Sequence, residues 1–197
     1  MAKDAGIDMM PCQLLEEHGR AHFMTKRFDR EEGNVKHHIQ TLCAMKHYDF
    51  NLVNSYSYEQ LFETMRELRL DYQQAEQMYR RMVFNVLARN CDDHTKNFAF
   101  RLKKGDRWEL APAYDICHAY RPDSIWVSQH ALSINGKRKQ ISREDLLTVG
   151  RSMSIKQAKD IVEHTHSVVS DWNAYAEQVQ VEPKKMEAIS STLIRFN

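Results

Sequence analysis

Chemically active side chains are concentrated in one short stretch near the middle of the chain, residues 90–98. Asp92, His94, Lys96 and Asn97 place a carboxylate, an imidazole, an amine and a carboxamide close together. A carboxylate can take a proton from a reacting hydroxyl, and oxygen atoms are the ligands that magnesium prefers. Because the stretch lacks a helical repeat of apolar residues, the sequence predicts a functional loop.

An amphipathic helix directly before this loop is predicted to support it. Asp71 is expected to begin the helix as its N-cap. Apolar residues then recur three and four positions apart, as in a helix with one buried face. They are Ala75, Met78, Tyr79, Met82, Val83, Val86 and Leu87. Further upstream, Ser57 and Gln60 have the spacing of a capping box and predict an earlier helix of the core.

A β-hairpin is predicted directly after the loop. Apolar residues alternate with others over residues 98–102, residues 103–106 are expected to turn the chain, and residues 107–110 form the returning strand. A two-stranded hairpin brings its far end back to its beginning. Residues 112–115 are therefore expected to lie next to the loop.

This arrangement predicts that three oxygen-bearing side chains, those of Asp92, Asn97 and Asp115, converge. In protein kinases a catalytic aspartate precedes a metal-binding asparagine by five positions, and a second metal-binding aspartate follows. Asn97 and Asp115 would hold one Mg²⁺, which leaves Asp92 free to accept a proton. Aspartate and asparagine also favour turns, so each residue alone carries no weight. Together they favour a phosphoryl-transfer site.

The segments around these residues resemble the HipA family of bacterial serine/threonine kinases, which are the toxins of toxin–antitoxin pairs. The resemblance lies in residues 92–98, 110–115 and 131–137. Residues 24–30 are similar to the hinge of that family, and residues 141–147 to a helix late in its C-terminal lobe. No His-Arg pair precedes Asp92, and Ile-Cys follows Asp115 where eukaryotic kinases have Phe-Gly, which supports the HipA type.

The resemblance implies roles for individual residues. Asp92 is the expected catalytic base, and Asp93 is assigned no catalytic role. Lys96 is expected to offset charge on the transferred group. The residues expected to bind ATP are Lys26, Arg27, Phe28, His94, Thr95, Lys96, Asn97, Tyr114 and Asp115, with Asn97 and Asp115 also binding Mg²⁺.

The expected fold is mainly α within the α+β class: a kinase-like C-terminal lobe with a helical bundle and two small β-hairpins. Residues 1–30 are interpreted as the end of an N-lobe with a hinge-like hairpin, and residues 31–197 as the helical lobe. The chain has only six glycines, and no glycine-rich phosphate loop or strand lysine precedes the hinge. We therefore expect weak ATP binding and little or no transfer by this chain alone.

The resemblance also implies partners. The family phosphorylates aminoacyl-tRNA synthetases, is restrained by a HipB-like DNA-binding antitoxin and is linked to persistence; a separately encoded N-lobe is a further expected partner. Two other hypotheses stay open. In the first, the chain is a non-catalytic interaction module that keeps the kinase-lobe fold. In the second, it is a metal-dependent hydrolase that uses the same oxygen ligands.

Composition limits the choice of function. The chain has 28 basic and 27 acidic residues, so no overall field favours direct binding to nucleic acid or membrane. Its four cysteines form no CxxC pair, which favours reduced thiols. No apolar run approaches a membrane span and no signal-peptide pattern is present, so a cytoplasmic location is expected.

Several predictions concern the first third of the chain. Residues 1–12 are interpreted as the tail of a helix that ends at Gly6, and residues 13–27 as a hairpin turning at His18 and Gly19. A short helix is predicted over residues 35–44. Leu14, Phe23 and Phe28 are expected to anchor the hairpin to the core, and His37 and His38 to lie on the surface.

Other predictions concern the last third of the chain. Residues 116–129 are expected to be irregular, with a possible role as a wall of a substrate groove, and Trp126 is interpreted as a packing residue. Residues 133–137 predict an Asn-Gly turn. The basic residues Lys137, Arg138 and Lys139 are interpreted as a solvated face, or as a patch that steers phosphate. Helices are expected to begin at Ser142 and Ser154 and after Pro183, and His164 and His166 to project from different sides of the second of these helices.

Overall fold

The structure is a computed structural model that describes residues 1–52, 54–105 and 107–196. Helices and two small antiparallel sheets alternate along these residues. The strands are β1 Cys12–Glu17, β2 Arg20–Thr25, β3 His38–Thr41, β4 Ala99–Leu102 and β5 Trp108–Leu110. The helices are α1 Leu42–Met45, α2 Tyr58–Glu67, α3 Tyr72–Leu87, α4 Arg143–Ser152, α5 Ala158–Ser170, α6 Trp172–Gln178 and α7 Pro183–Ser190, with a 3-10 turn at Glu32–Asn34.

The amphipathic helix predicted before the loop is present as α3. Its N-cap is Asp71, whose carboxylate accepts a hydrogen bond from the Gln74 backbone N–H. Its apolar stripe is buried against α2 and α5. The two predicted capping boxes, at Ser57 for α2 and at Ser142 for α4, are both present. Local capping and helical periodicity therefore account for the scaffold behind the loop.

The hairpin after the loop is confirmed, but it belongs to a sheet of three strands in the order β3-β4-β5. Strand β3 replaces the predicted helix over residues 35–44, and that prediction was wrong. Strand β3 pairs with β4, whose buried residues include Phe100, and only the four residues of α1 are helical. The pairing with β4, which places Thr41 opposite Ala99, stabilises the strand conformation, because tertiary contacts override weak local preferences. The predicted turn includes Asp106, which lies outside the described residues.

The hairpin β1-β2 turns at His18 and Gly19, as predicted, and both residues have positive φ angles, 49° and 75°. The expected anchoring was wrong for two of the three residues. The side chains of Leu14 and Phe23 are 56% and 69% exposed, and every residue of both strands is exposed. Only Phe28 is partly buried, stacked on Tyr114 with ring centroids 5.5 Å apart.

Two further helix predictions hold in part. Among residues 1–12, all described, the predicted helix tail is a single turn, with a hydrogen bond from the Ala5 N–H to the Met1 carbonyl of 2.8 Å. The turn ends at Gly6, which has a φ of 79°, as predicted. Ser154 does not cap α5, which begins at Ala158. It has a φ of 60° and closes α4, because the Ile155 N–H bonds the Gly150 carbonyl at 2.8 Å.

The histidine predictions had mixed outcomes. His38 is exposed, but the His37 side chain is only 5% exposed and lies 2.9 Å from Glu31, so its expected surface position was wrong. On α5, His164 bonds the Asp4 carbonyl and His166 accepts from the Phe196 N–H, which confirms that they project to different sides.

The remaining predictions for the last third hold in part. Residues 116–129 are irregular, and the Asn-Gly turn has both central residues at positive φ. The basic run is not simply solvated, because Lys137 pairs with the buried Asp145 at 2.9 Å and Arg138 donates to the Tyr56 carbonyl at 2.7 Å. None of the described helices has the length and apolar character needed to cross a membrane.

Candidate functional site

The loop begins where a left-handed residue stops helix α3. Arg89 has a φ of 57°, and the Asn90 N–H bonds the Asn85 carbonyl at 2.9 Å, which is the closure of a Schellman-type cap. A side chain larger than glycine is disfavoured in this conformation by about 1–2 kcal/mol. Two contacts of its guanidinium hold Arg89 there: a hydrogen bond to the Thr192 carbonyl, 2.9 Å, and a position 4.0 Å above the Tyr120 ring.

Asn97 closes the loop onto Asp92. Its Nδ2 donates to the Asp92 backbone carbonyl at 2.8 Å, and its own N–H bonds the His94 carbonyl at 2.9 Å. The amide oxygen of Asn97 takes no part in these bonds. The Asp92 side chain is 44% exposed, with its Oδ1 3.8 Å from Nε2 of His94. The loop therefore presents a carboxylate and an amide oxygen in fixed relation.

Asp115 returns to the loop, as the hairpin topology predicted. It and Asn97 line one groove that encloses about 270 Å³ of open space. Asp115 is exposed and has a φ of 54°, a left-handed conformation that aspartate tolerates better than most residues. Its neighbour Tyr114 donates from its hydroxyl to the Lys96 carbonyl at 2.6 Å and stacks on Phe28. Phe28, the loop and the segment of Asp115 are thus in direct contact. We call this the Asn97–Asp115 groove.

Negative charge is concentrated around Asp92. Partial burial raises the pKa of its carboxyl; His94 lowers the pKa, and the charges of Asp115 and Asp93 raise it, with a net upward shift. A raised pKa makes a carboxylate a better proton acceptor at neutral pH. Burial also raises the pKa of the Tyr114 hydroxyl to about 12, with a further contribution from Asp115, so this group stays a hydrogen-bond donor.

A second groove, with different lining residues, also borders the loop. Asp92, His94 and Thr95 line it, and it encloses about 420 Å³ of open space. The rest of its lining is apolar or aromatic: Phe50, Leu52, Tyr56, Trp126, Ala131 and Leu132. Trp126, interpreted from sequence as packing, is half exposed at this aromatic groove. Asp92 therefore borders an aromatic groove, while Asn97 and Asp115 face a polar one.

The structure places the residues expected to bind ATP in different surroundings. Lys26 is exposed. Arg27 is engaged by Asp29 through two bonds of 2.8 and 2.6 Å. Lys96 lies 3.2 Å from the centre of the Phe50 ring, on the side of the aromatic groove. Thr95 is buried, and its hydroxyl lacks a hydrogen-bond partner among the described residues.

Sequence reasoning missed the polar residues beneath the loop. Asp93, which received no role, is 1% exposed and is bonded to Tyr58 and His130. Arg81 and Asn85, also buried, lie four residues apart on α3 among its apolar positions. Buried polar residues require partners. Arg81 and Asn85 lie on the same helix face as the apolar Met78 and Met82. This placement was the sequence signal that could have predicted buried polar partners.

Together these features define a kinase-like C-terminal lobe: a helical scaffold, a loop with an aspartate and an asparagine five residues later, and a second aspartate returned by a hairpin. A family model described as the HipA-like C-terminal domain matches residues 1–192. The chain therefore belongs to this family, and the resemblance predicted from its sequence is confirmed.

A solved structure has the same fold. It is the complex of the Shewanella oneidensis MR-1 toxin–antitoxin proteins HipA and HipB with operator DNA. The TM-score is 0.74 at 19% identity, and the match covers 96% of this chain and 50% of that one. The chain therefore spans about half the length of the relative it matches, and the α+β fold class is confirmed. Among curated proteins, no sequence matches this chain.

Proposed function

We propose that this chain is the catalytic lobe of a HipA-like serine/threonine protein kinase, in which Asp92 takes the proton of the acceptor hydroxyl. The observation that carries the proposal is that the loop borders two grooves. Asn97 and Asp115 line the polar groove, and Asp92 borders the aromatic one with nearly half of its side chain exposed. In phosphoryl transfer the attacking and leaving oxygens lie roughly in line on opposite sides of the transferred group, which suits a base that borders one groove and metal ligands that line another.

The donor set of the Asn97–Asp115 groove fits magnesium. Asn97 offers an amide oxygen free of the loop hydrogen bonds, and Asp115 offers an exposed carboxylate. Mg²⁺ commonly takes one or two protein oxygens and fills its shell with water and phosphate oxygens. Among the described residues no group of three or more histidines, cysteines, aspartates or glutamates could hold a metal. When bound, Mg²⁺ would neutralise charge on the ATP phosphates.

The chain's own residues have distinct tasks in this proposal. The Asp92 carboxylate orients the serine or threonine hydroxyl and receives its proton. Asn97 holds the backbone of Asp92 at a fixed distance through its 2.8 Å bond. The ammonium of Lys96 reaches the transferred group only by leaving the Phe50 ring, a cation–π contact worth about 0.5–1 kcal/mol at an exposed site.

The exposed hairpin β1-β2 supports a two-part kinase. The register pairs Leu14 with Phe23 on one face, while Leu15 and Met24 lie on the other, and all four are exposed. An isolated two-stranded hairpin is only marginally stable in water. We propose that an N-terminal half, either part of a longer chain or encoded separately, covers these residues and supplies the second side of the ATP site. This chain alone would then bind ATP weakly.

The proposed partners follow from the family and from the solved relative. The relative is a complex of HipA with HipB and DNA. We propose a HipB-like antitoxin as the regulator of this chain and a cytoplasmic aminoacyl-tRNA synthetase as the class of acceptor. DNA would then be reached through the antitoxin, because the chain itself has a formal net charge of only +1.

The deciding experiment is a magnesium-dependent phosphorylation assay on this chain supplied with the N-terminal half. We expect Asp92→Asn to abolish transfer to protein, and the control Asp160→Asn, at an exposed position on α5, to leave it unchanged. Transfer that persists in Asp92→Asn would contradict the assignment of the base. Release of free phosphate without a labelled protein would indicate the metal-dependent hydrolase instead.

A non-catalytic interaction module is the second candidate, favoured by the exposed apolar hairpin. It predicts a stable complex with the N-terminal half or the antitoxin that Asp115→Ala does not weaken. Calorimetric titration with magnesium-ATP separates the two functions. The kinase predicts nucleotide binding by the assembled protein that Asp115→Ala reduces, whereas the module predicts no nucleotide binding at all.

A further inference from the structure

Asp93, the residue next to the proposed base, is buried, and its carboxylate is fully hydrogen-bonded. Asp93 accepts three hydrogen bonds, each of 2.8 Å: from the Tyr58 hydroxyl, from Nδ1 of His130 and from the Ala131 backbone N–H. Asp93, Tyr58 and His130 are each no more than 1% exposed. A buried carboxylate with this many partners fixes its own backbone firmly, because moving it would leave several polar groups unsatisfied at once.

The same network reaches the other half of the site. The Tyr58 hydroxyl accepts a bond of 3.0 Å from Nδ2 of Asn85. Asn85 in turn accepts from Nδ2 of Asn90 at 3.0 Å, and the same Nδ2 lies 3.4 Å from the Asp115 backbone carbonyl. A continuous series of side-chain hydrogen bonds thus joins the backbone beside Asp92 to the backbone of Asp115.

The cluster also has the order of a cysteine–histidine–acid triad, since the Cys91 sulfur lies 3.9 Å from Nε2 of His130. Cys91 is completely buried and His130 is 1% exposed, so a substrate has no access to either. A nucleophilic function is therefore excluded in this conformation. Because the network connects one side of the candidate site to the other, it indicates a structural role in the site.

We propose that the buried series Asp93–Tyr58–Asn85–Asn90 sets the position of Asp92 relative to Asp115, which makes Tyr58 and Asp93 positioning residues of the transfer reaction. This inference rests on the proposed kinase function for its catalytic consequence. Tyr58 is the central link, because its hydroxyl both donates to Asp93 and accepts from Asn85. Removing that one oxygen cuts the connection while the ring keeps its place in the core.

Tyr79 supplies a matched control. It is also completely buried, it lies on α3, and its hydroxyl donates one bond of 2.8 Å, to the Leu146 carbonyl away from the network. Tyr58→Phe and Tyr79→Phe each remove one buried phenolic oxygen. In the kinase assembled with its N-terminal half, we expect Tyr58→Phe to lower kcat on the order of tenfold to a hundredfold, because small displacements of reacting groups have large effects on rate. Tyr79→Phe should leave kcat within about twofold of the unmodified enzyme, because its lost bond lies outside the series.

A second measurement needs no activity. In the ¹⁵N NMR spectrum of this chain, Tyr58→Phe should shift the backbone amide resonances of both Asp92 and Asp115, and Tyr79→Phe should shift neither. If the unmodified assembly transfers no phosphate, the proposed function fails and the NMR comparison alone decides the positioning role. If Tyr58→Phe leaves the Asp115 resonance in place, or if both variants lower kcat equally, the positioning inference is overturned while the kinase assignment stands.

Discussion

The loop that carries Asp92 and the hairpin β1-β2 differ in how the chain supports them. Beneath the loop, Asp93 is 1% exposed and is bonded on three sides. In the hairpin every strand residue is exposed, and apolar side chains as large as Phe23 face outward. The loop thus rests on buried polar contacts within the chain, whereas the apolar side chains of the hairpin are exposed. The proposed division of the kinase follows this difference.

The largest expected effect comes from removing the carboxylate beneath the loop. Asp93→Ala leaves His130 and Tyr58 buried without their partner, and breaking a buried pair in this way costs about 3–5 kcal/mol. The free energy of unfolding, measured in urea, should fall by that amount. Asp93→Asn keeps the shape and part of the hydrogen bonding, so its loss should be smaller. In the hairpin, Glu17→Ala should change the free energy of unfolding by less than about 0.5 kcal/mol. If Asp93→Ala and Glu17→Ala lowered the free energy of unfolding equally, the loop and the hairpin would not differ in how they are supported.

Alkaline pH should weaken the same region. Burial lowers the pKa of His130, but the charge of Asp93 and their hydrogen bond raise it, to about 10 in total. Because this pKa lies above the unfolded value, the stabilisation is complete below about pH 6.5 and is lost as pH rises through about 10. The free energy of unfolding should fall on the order of a few kcal/mol over this interval.

His130→Gln tests the source of that pH dependence. Its free energy of unfolding should be lower at neutral pH and change much less between pH 6.5 and 10. An unchanged slope would assign the dependence to other groups.

Tyr114 connects the loop to the segment that follows the hairpin, because it stacks on Phe28 and donates to the Lys96 carbonyl. Tyr114→Phe keeps the stacking and removes one hydrogen bond, so we expect a loss of about 1 kcal/mol in the free energy of unfolding. Hydrogen exchange should become faster in residues 94–97 and stay unchanged in β1. Faster exchange in β1 would mean that the hydroxyl stabilises the hairpin as well.

The smallest effect on the isolated chain is expected from Leu14→Ser with Phe23→Ser. Both side chains are already exposed, so the free energy of unfolding should change by less than about 0.5 kcal/mol. Binding to the N-terminal half, measured by calorimetry, should nevertheless weaken at least tenfold. The double variant Glu16→Ser with Glu17→Ser, on the same hairpin, should bind normally. Normal binding by the apolar variant would place the interface elsewhere.

The sequence was sufficient where structure depends on neighbouring residues. Helix α3, its Asp71 cap and the hairpin that returns Asp115 follow from local periodicity and capping. Strand β3 could not be predicted in the same way, because its pairing with β4 joins segments about sixty residues apart. Asp93 shows the same limit at the site: its identity does not reveal that Tyr58 and His130, distant in sequence, surround it.

The left-handed Arg89 cap has a consequence for synthesis of the protein. Two hydrogen bonds connect the end of α3 to residues near the end of the described chain. Arg89 donates to the Thr192 carbonyl, and the Ile194 N–H donates to the Leu87 carbonyl at 3.0 Å. Both partners are translated roughly a hundred residues after the loop that they help to fix. A nascent chain still inside the ribosome tunnel at residue 192 lacks both ties. We therefore expect the loop of residues 90–98 to become fixed only after translation has passed this point.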